Sequence, residues 1–225
     1  MMRLALALYA EGDTDDRFLP LIIQRTSRKI LAEHEQSKVD VASIEPIKLS
    51  EKKRSRDQNI LQAARQAVRY QALIIHSDAD HPTPEKALNE RFRPGYELVQ
   101  QTNEHLCKSL VPIIPVRMTE AWMLAADHDL LRKVIGTSIR AQDLGLINRV
   151  RQVESDPDPK QTLKQIMHRA YTERSRRHRE VDLSPLYAPL GRRISLDRLN
   201  DVPSYQQFVD DLTATLRTLN LIKIK

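Results

Sequence analysis

A single cysteine, Cys107, stands among 225 residues, so the chain has no intramolecular disulfide and no multi-cysteine metal site. That excludes a disulfide-stapled secreted scaffold and a cysteine-rich zinc module. No apolar run approaches the roughly 18 residues that would suggest a membrane span. The N-terminal apolar stretch has only Arg3 ahead of it and runs straight into Glu11-Gly12-Asp13, without a small-residue cleavage pattern. The expectation is a cytoplasmic protein with no membrane contact. Internal repeats and low-complexity tracts are absent too. What is present suits one domain, or one domain plus an extension, and a chain of this length buries roughly 70–75% of its unfolded surface. Charged residues make up 29% of it with a net charge of +6, a modest excess on a mixed surface. Such a balance favours an anionic partner such as nucleic acid.

The stretch Leu73-Ile74-Ile75-His76-Ser77-Asp78-Ala79-Asp80 is a short apolar run stopped by two carboxylates spaced i, i+2, then by His81-Pro82-Thr83-Pro84. It is too short for a helix and predicts a buried parallel strand with a loop at its carboxyl end. Ligands bind at that end of open α/β sheets. Extended alternation would put Asp78 and Asp80 on one side. Two anions so placed repel unless a cation lies between them, and a hard divalent ion with oxygen ligands is the simplest. The same residues also suit a plain structural role, Asp78 closing a turn and Asp80 starting a helix, and this stretch alone leaves both readings open. His76, inside the apolar run, reads as packed core.

Leu4-Ala5-Leu6-Ala7-Leu8-Tyr9, ended by Glu11-Gly12, has the form of a central strand with a turn at its carboxyl end. Thr14 predicts an N-cap, and Phe18, Leu19, Ile22, Ile23 and Ile30 recur at helical spacing from Asp15 to about Glu33. The region from Val41 to Leu49 predicts a second strand, near an edge because Pro46 interrupts it. Glu51-Lys52-Lys53-Arg54-Ser55-Arg56 holds four cations in six residues, which is either a solvated loop or a phosphate contact. Ile60, Leu61, Ala64, Ala67 and Val68 form a helical stripe leading into the Leu73 strand. A helix is expected from about Tyr96 to Leu106, then a fourth strand from Val111 to Val116 with edge geometry imposed by its prolines. Thr119 predicts the cap of a helix over residues 120–125 that carries Glu120 in its first turn.

From Asp127 the strands give way to short amphipathic helices, with turn signals at Gly136, Gly145, Pro157 and Pro159. Leu163, Ile166, Met167 and Ala170 make one helix face, and Tyr205, Phe208, Val209, Leu212 and Leu216 make another. Between them, Arg174-Ser175-Arg176-Arg177-His178-Arg179 has four arginines in six residues, a phosphate clamp or a solvated face. The fold class is α/β: a mostly parallel sheet flanked by helices over residues 1–130, with a mainly helical C-terminal region, 131–225, packed on it.

Strand-end residues far apart in sequence converge when their strands are neighbours in one parallel sheet. Glu11, Asp78 and Asp80, with Asp15 and Glu120, would then surround one point. Mg²⁺ or Mn²⁺ is the usual means of neutralising such a set, and a pair of ions about 3.5–4 Å apart can drive phosphodiester cleavage.

Glu11-Gly12-x-Thr14-Asp15 after a strand, with a distal strand ending in Asp78-x-Asp80, resembles a TOPRIM domain. That domain is the Rossmann-like metal-binding fold of topoisomerases, primases, the M5-type ribonuclease and the OLD-family nucleases. Three further stretches narrow the likeness: Glu11 to Leu19, Arg117-Met118-x-Glu120-Ala121-Trp122-Met123-Leu124-Ala125, and Pro203-Ser204-Tyr205-x-x-Phe208. Together they are most similar to a bacterial TOPRIM-like family of uncharacterised proteins, often encoded beside an ABC-type ATPase and associated with defence against phage. The TOPRIM motifs cover about the first 130 residues.

The resemblance implies a Mg²⁺- or Mn²⁺-dependent nuclease acting on DNA ahead of RNA, with an ABC- or SMC-type ATPase as partner. Glu11 would act through the metal or as general acid/base, Asp78 and Asp80 would hold the ion, and Asp15 would support a second one. Glu120 matches the family's strand-end glutamate, in a metal or a structural role. Lys160 would be either the cation for a transition-state phosphate or a plain surface lysine. Nucleic-acid contact is expected at Arg174, Arg176, Arg177, Arg179, Lys52, Lys53, Arg54 and Lys160. A further acidic cluster found in many TOPRIM nucleases has no counterpart here. The alternative is a catalytically silent TOPRIM scaffold that binds the ATPase, and a homo-oligomer stays open. Strand transfer or priming would need a separate catalytic or template-binding module, for which the chain leaves little room.

Overall fold

The computed structural model describes residues 2–35, 39–50, 55–146, 150–171 and 181–223. Its first strand is broken in two, β1 (Met2–Leu4) and β2 (Leu6–Tyr9). At the break, the Ala5 N–H donates to the side-chain oxygen of Gln71 at 2.7 Å, and the Ala5 carbonyl accepts the Gln71 N–H at 3.0 Å. Helix α1 (Asp15–Glu33) follows, as its apolar period predicts, with Asp15 and Asp16 placed favourably in its first turn. Thr14 is not the side-chain cap expected of it: its backbone is already helical and its hydroxyl makes no cap bond. The edge strand near Pro46 is also in two pieces, β3 (Val39–Val41) and β4 (Glu45–Pro46).

Helix α2 (Arg56–Gln66) leads into β5 (Ala72–His76), every residue of which is buried. The next stretch departs from expectation. A short α3 (Glu85–Ala87) runs through a π-helical turn, Leu88–Phe92, into α4 (Arg93–Gln101), so the helix begins and ends earlier than the predicted 96–106. Strand β6 (Leu110–Ile113) then leads to α5 (Thr119–Leu124). In sheet order the strands run β4-β2-β5-β6, all parallel, and β1 pairs in parallel with β3. Both outer strands contain a proline, Pro46 and Pro112, as befits edges.

Strand alternation sorts the core into two faces. Leu6, Leu8, Ala72, Ile74, Val111 and Ile113 point to one side, where Phe18, Leu19, Ile22 and Ile23 of α1 cover them. Ala7, Tyr9, Leu73, Ile75 and Leu110 point to the other, against Ile60, Leu61, Ala63 and Ala64 of α2 and Val99 of α4. The first face is the larger because the C-terminal helices join it: α6 (His128–Ile135), α7 (Pro159–Tyr171), α8 (Ser184–Arg193), α9 (Leu196–Leu199) and α10 (Pro203–Thr218). Gly136 ends α6 at φ +76°, a backbone state that favours glycine, as its turn signal predicts.

Trp122 ties the two halves of the chain together. Its indole N–H donates to the Ser204 hydroxyl at 2.8 Å, Tyr205 meets it edge-on at 5.3 Å between ring centroids, and Phe208 flanks it. Truncating a fully buried aromatic of this kind typically costs about 3–5 kcal/mol. The Trp122 and Pro203-Ser204-Tyr205-x-x-Phe208 motifs thus have a packing role in the same core. Among the described residues, no helix is long and apolar enough to cross a membrane.

Candidate functional site

Parallel pairing of β2 with β5 brings Tyr9 level with Ile75, so the residues that follow each strand leave the sheet side by side. Glu11 comes from the first exit and Ser77 and Asp78 from the second; the Ser77 hydroxyl donates to Glu11 Oε1 at 3.1 Å. Gly12 lets the chain turn tightly into α1. Its N–H donates to Asp15 Oδ2 at 3.2 Å, and a Cβ on Gly12 would lie 2.9 Å from that same oxygen. The third exit, after β6, delivers Thr119 and Glu120 at the start of α5. The Thr119 N–H donates to Asp78 Oδ1 at 2.9 Å. Asp78 therefore caps α5 from another strand, and Thr119 is the capped residue rather than the cap predicted for it.

Two arginines lie over the outer part of this edge. Arg56, at the first position of α2, pairs with Glu11 Oε1 and also donates to the His76 carbonyl at 2.7 Å. Arg91, on the π-helical turn, donates to Asp80 Oδ2 at 2.8 Å and to the Asp78 carbonyl at 2.7 Å, and lies 4.0 Å from Glu11 Oε2. π-Helical turns occur often at functional sites. Lys48 similarly pairs with Asp13, at 2.6 Å, and with Asp16.

The inner part is buried. His76 has no solvent exposure, with Nε2 lying 3.2 Å from Thr119 Oγ1 and 3.3 Å from Asp78 Oδ1, and Nδ1 3.7 Å from Asp15 Oδ2. Burial alone would lower the pKa of His76. The hydrogen bond to Asp78 and the charges of Asp15, Asp78 and Glu11 carry it above the ordinary imidazole value instead. Burial pushes the Asp15 carboxyl up, with His76 opposing and the Asp78 charge adding to the rise. Burial raises Glu120 too, against the hydrogen bond it accepts from the Tyr187 hydroxyl at 2.6 Å. Lys160 Nζ is 4.0 Å from Glu120 Oε1.

The segment after β5 is not extended as the i, i+2 reading requires. Asp80 has φ +51° and Arg117, opposite it, has φ +63°. The Asp80 N–H donates to the Arg117 carbonyl at 3.0 Å, and the Arg117 N–H to the His81 carbonyl at 3.3 Å. Non-glycine residues rarely adopt this left-handed state, and such outliers cluster at functional sites. The consequence is that Asp78 and Asp80 do not share a side. Asp78 faces Thr119 and His76, whereas Asp80 faces Arg91.

Glu11, Asp15, Asp78 and Asp80 thus lie along one edge, linked through Arg91, Ser77, His76 and Thr119, and Glu120 follows Thr119 but is turned to Tyr187 and Lys160; the five do not surround one point as expected. His76, Arg56, Arg91 and Tyr187 were missing from the predicted set. The signal for His76 was its own i, i+2 spacing to Asp78; the arginines left none that separates them from surface charge. Lys52, Lys53, Arg54, Arg174, Arg176, Arg177 and Arg179 lie outside the described residues.

Carboxylate oxygens are the donors that Mg²⁺ and Mn²⁺ prefer, so the donor set fits such an ion in kind. Among the described residues, however, no three His, Cys, Asp or Glu side chains gather to hold one ion. Glu11 and Asp80 are turned to arginines and Asp78 to a helix N-terminus. No family model, curated protein or solved structure matches this chain.

Proposed function

We propose that this chain is a Mg²⁺- or Mn²⁺-dependent nuclease that hydrolyses phosphodiesters, with DNA ahead of RNA as substrate. The observation that carries this reading is the convergence of acidic residues from three strand exits on the carboxyl edge of one parallel sheet, where open α/β folds bind ligands. Glu11, Asp78 and Asp80 are the residues that would hold the ion, with Asp15 behind them. A hard divalent cation bound there supplies positive charge for the transferring phosphate and acidifies water. His76 lies between the two inner carboxylates, 3.3 Å from Asp78 Oδ1 and 3.7 Å from Asp15 Oδ2, and its raised pKa favours the positive charge that would offset theirs. Arg56 and Arg91 neutralise the outer carboxylates in the absence of an ion and would be displaced from them when one enters. The TOPRIM resemblance adds an ABC- or SMC-type ATPase partner, a cytoplasmic setting and a defence role.

One observation favours a second reading, a silent scaffold that serves an ATPase: arginines already neutralise Glu11 and Asp80. A single experiment separates the two. Plasmid, single-stranded DNA and RNA are incubated with Mg²⁺, Mn²⁺ or EDTA and with either wild type or Asp78→Ala/Asp80→Ala, while Mn²⁺ binding is measured by calorimetry. The nuclease reading expects metal-dependent cutting and Mn²⁺ binding, both lost in the double variant. Cutting that persists in a pure double variant, or a wild type that neither cuts nor binds Mn²⁺, overturns it.

A further inference from the structure

Beside the acidic edge lies a cleft of about 360 Å³ lined by Thr14, Lys160, Lys164, Ser184 and Tyr187, with Val181, Asp182 and Leu183 completing its rim. We infer that this cleft is a phosphate subsite, holding a backbone phosphate of the nucleic-acid strand next to the one presented to the carboxylates. The inference rests on the nuclease reading and gives it a path for the substrate.

The cleft and the edge share a wall. Thr14 immediately precedes Asp15. Tyr187 lines the cleft and donates to Glu120, while Lys160 reaches from the cleft to within 4.0 Å of the same carboxylate. A strand laid along one therefore continues into the other. Its volume falls within the range of small-ligand sites, about 300–1,000 Å³, so a phosphate with part of its sugar can enter.

The charge fits an anion. Lys160 and Lys164 are spaced i, i+4 on α7 and so share one helix face, and lysine binds phosphate as a point charge. The hydroxyls of Thr14 and Ser184 line the cleft as well, the first bonded to Tyr187 and the second to Asp182 in the structure, and a phosphate oxygen would compete for them. Among the described residues of the lining Asp182 is the one acid, and its Oδ1 already accepts the Ser184 N–H at 2.8 Å. A phosphodiester bound at Glu11, Asp78 and Asp80 meets negative charge on the protein. Cations one step along the strand offset that repulsion and fix the direction in which the strand lies.

The test uses a fluorescein-labelled single-stranded 12-mer DNA in EDTA, with anisotropy measured across a salt series, for wild type, Lys160→Gln/Lys164→Gln and Lys160→Arg/Lys164→Arg. Matching thermal melts and Mn²⁺ titrations serve as controls. The Gln pair is expected to bind about tenfold more weakly and to lose about 1.4 from the slope of log K against log salt, since each phosphate contact on a single strand contributes about 0.7. Mn²⁺ affinity stays unchanged, and the Arg pair restores binding. A mononucleotide competes only at far higher concentration than the 12-mer if a strand is the occupant, and equal competition overturns the strand assignment. Wild-type binding with an unaltered Gln pair overturns the subsite and leaves the nuclease reading standing. A wild type that binds Mn²⁺ but no 12-mer also overturns the subsite, while absence of both overturns the inference and the reading beneath it.

Discussion

Along one sheet edge, two groups of carboxylates are kept from repelling each other by opposite means. Glu11 and Asp80, 28% and 58% exposed, face the permanent cations Arg56 and Arg91. Asp15 and Glu120, 8% and 7% exposed, accept the Gly12 N–H and the Tyr187 hydroxyl, with His76 facing Asp15 at 3.7 Å, and both sit above the ordinary carboxyl pKa because of burial. An exposed ion pair contributes little to stability and exchanges partners readily, whereas a buried polar group left without its partner is expensive. The outer group is thus free to trade cations, and the inner group is architecture. Asp78 stands between them, capping α5 and touching His76.

Asp78→Ala should have the largest effect if Asp78 belongs to both groups. Several kcal/mol of charge stabilisation corresponds to a loss of cleavage on the order of a thousandfold. Removing the cap on Thr119 should also destabilise the fold by about 1 kcal/mol. Asp78→Asn keeps an oxygen for that N–H, so its urea midpoint should recover while its cleavage does not; recovery of both would dissolve the division.

His76→Leu comes next. It removes the positive charge facing Asp15 and Asp78 but leaves Asp15 its bond from the Gly12 N–H, and should cost about 1–3 kcal/mol in urea unfolding performed in EDTA. A histidine with a raised pKa stabilises the fold fully below the ordinary imidazole value, and that contribution is lost as the pH rises through the raised one. Asp15→Asn should lower the His76 pKa in an NMR titration and narrow that window. A His76 pKa unmoved by Asp15→Asn would show that the two groups do not interact.

Arg91→Met tests the outer group. An ion can take Asp80 only by displacing Arg91, so Arg91→Met should tighten Mn²⁺ binding about tenfold in calorimetry, while the loss of an exposed pair should change the melting temperature little. Weaker Mn²⁺ binding would make Arg91 an organiser of the site instead of a competitor. The smallest effect belongs to Tyr187→Phe, which removes the hydrogen bond to Glu120 and should destabilise by about 1 kcal/mol in urea.

The strands and their order of appearance were legible because a buried parallel strand is a short apolar run and little else. The helix over Asp15–Glu33 was legible from its apolar period. All five acids were legible from where those runs stop. The turn after β5 was not. Nothing in Asp78-Ala79-Asp80 announces a left-handed aspartate, because the state is held by backbone bonds to a strand end more than thirty residues away. Arg91 was hidden for a similar reason: it lies over Asp80 from a π-helical turn, which leaves no mark on the hydrophobic pattern.

The opposed left-handed pair, Asp80 and Arg117, also bears on how the protein would respond to directed evolution. Glycine adopts that backbone without strain, yet the chain has only five glycines and places none at either position. A screen that rewards heat resistance alone should therefore enrich glycine at 80 and 117, each gaining up to about 1 kcal/mol. A screen that rewards cutting should discard the clones with glycine at 80, and the divergence of the two libraries would mark this turn as a place where selection for durability and selection for work disagree.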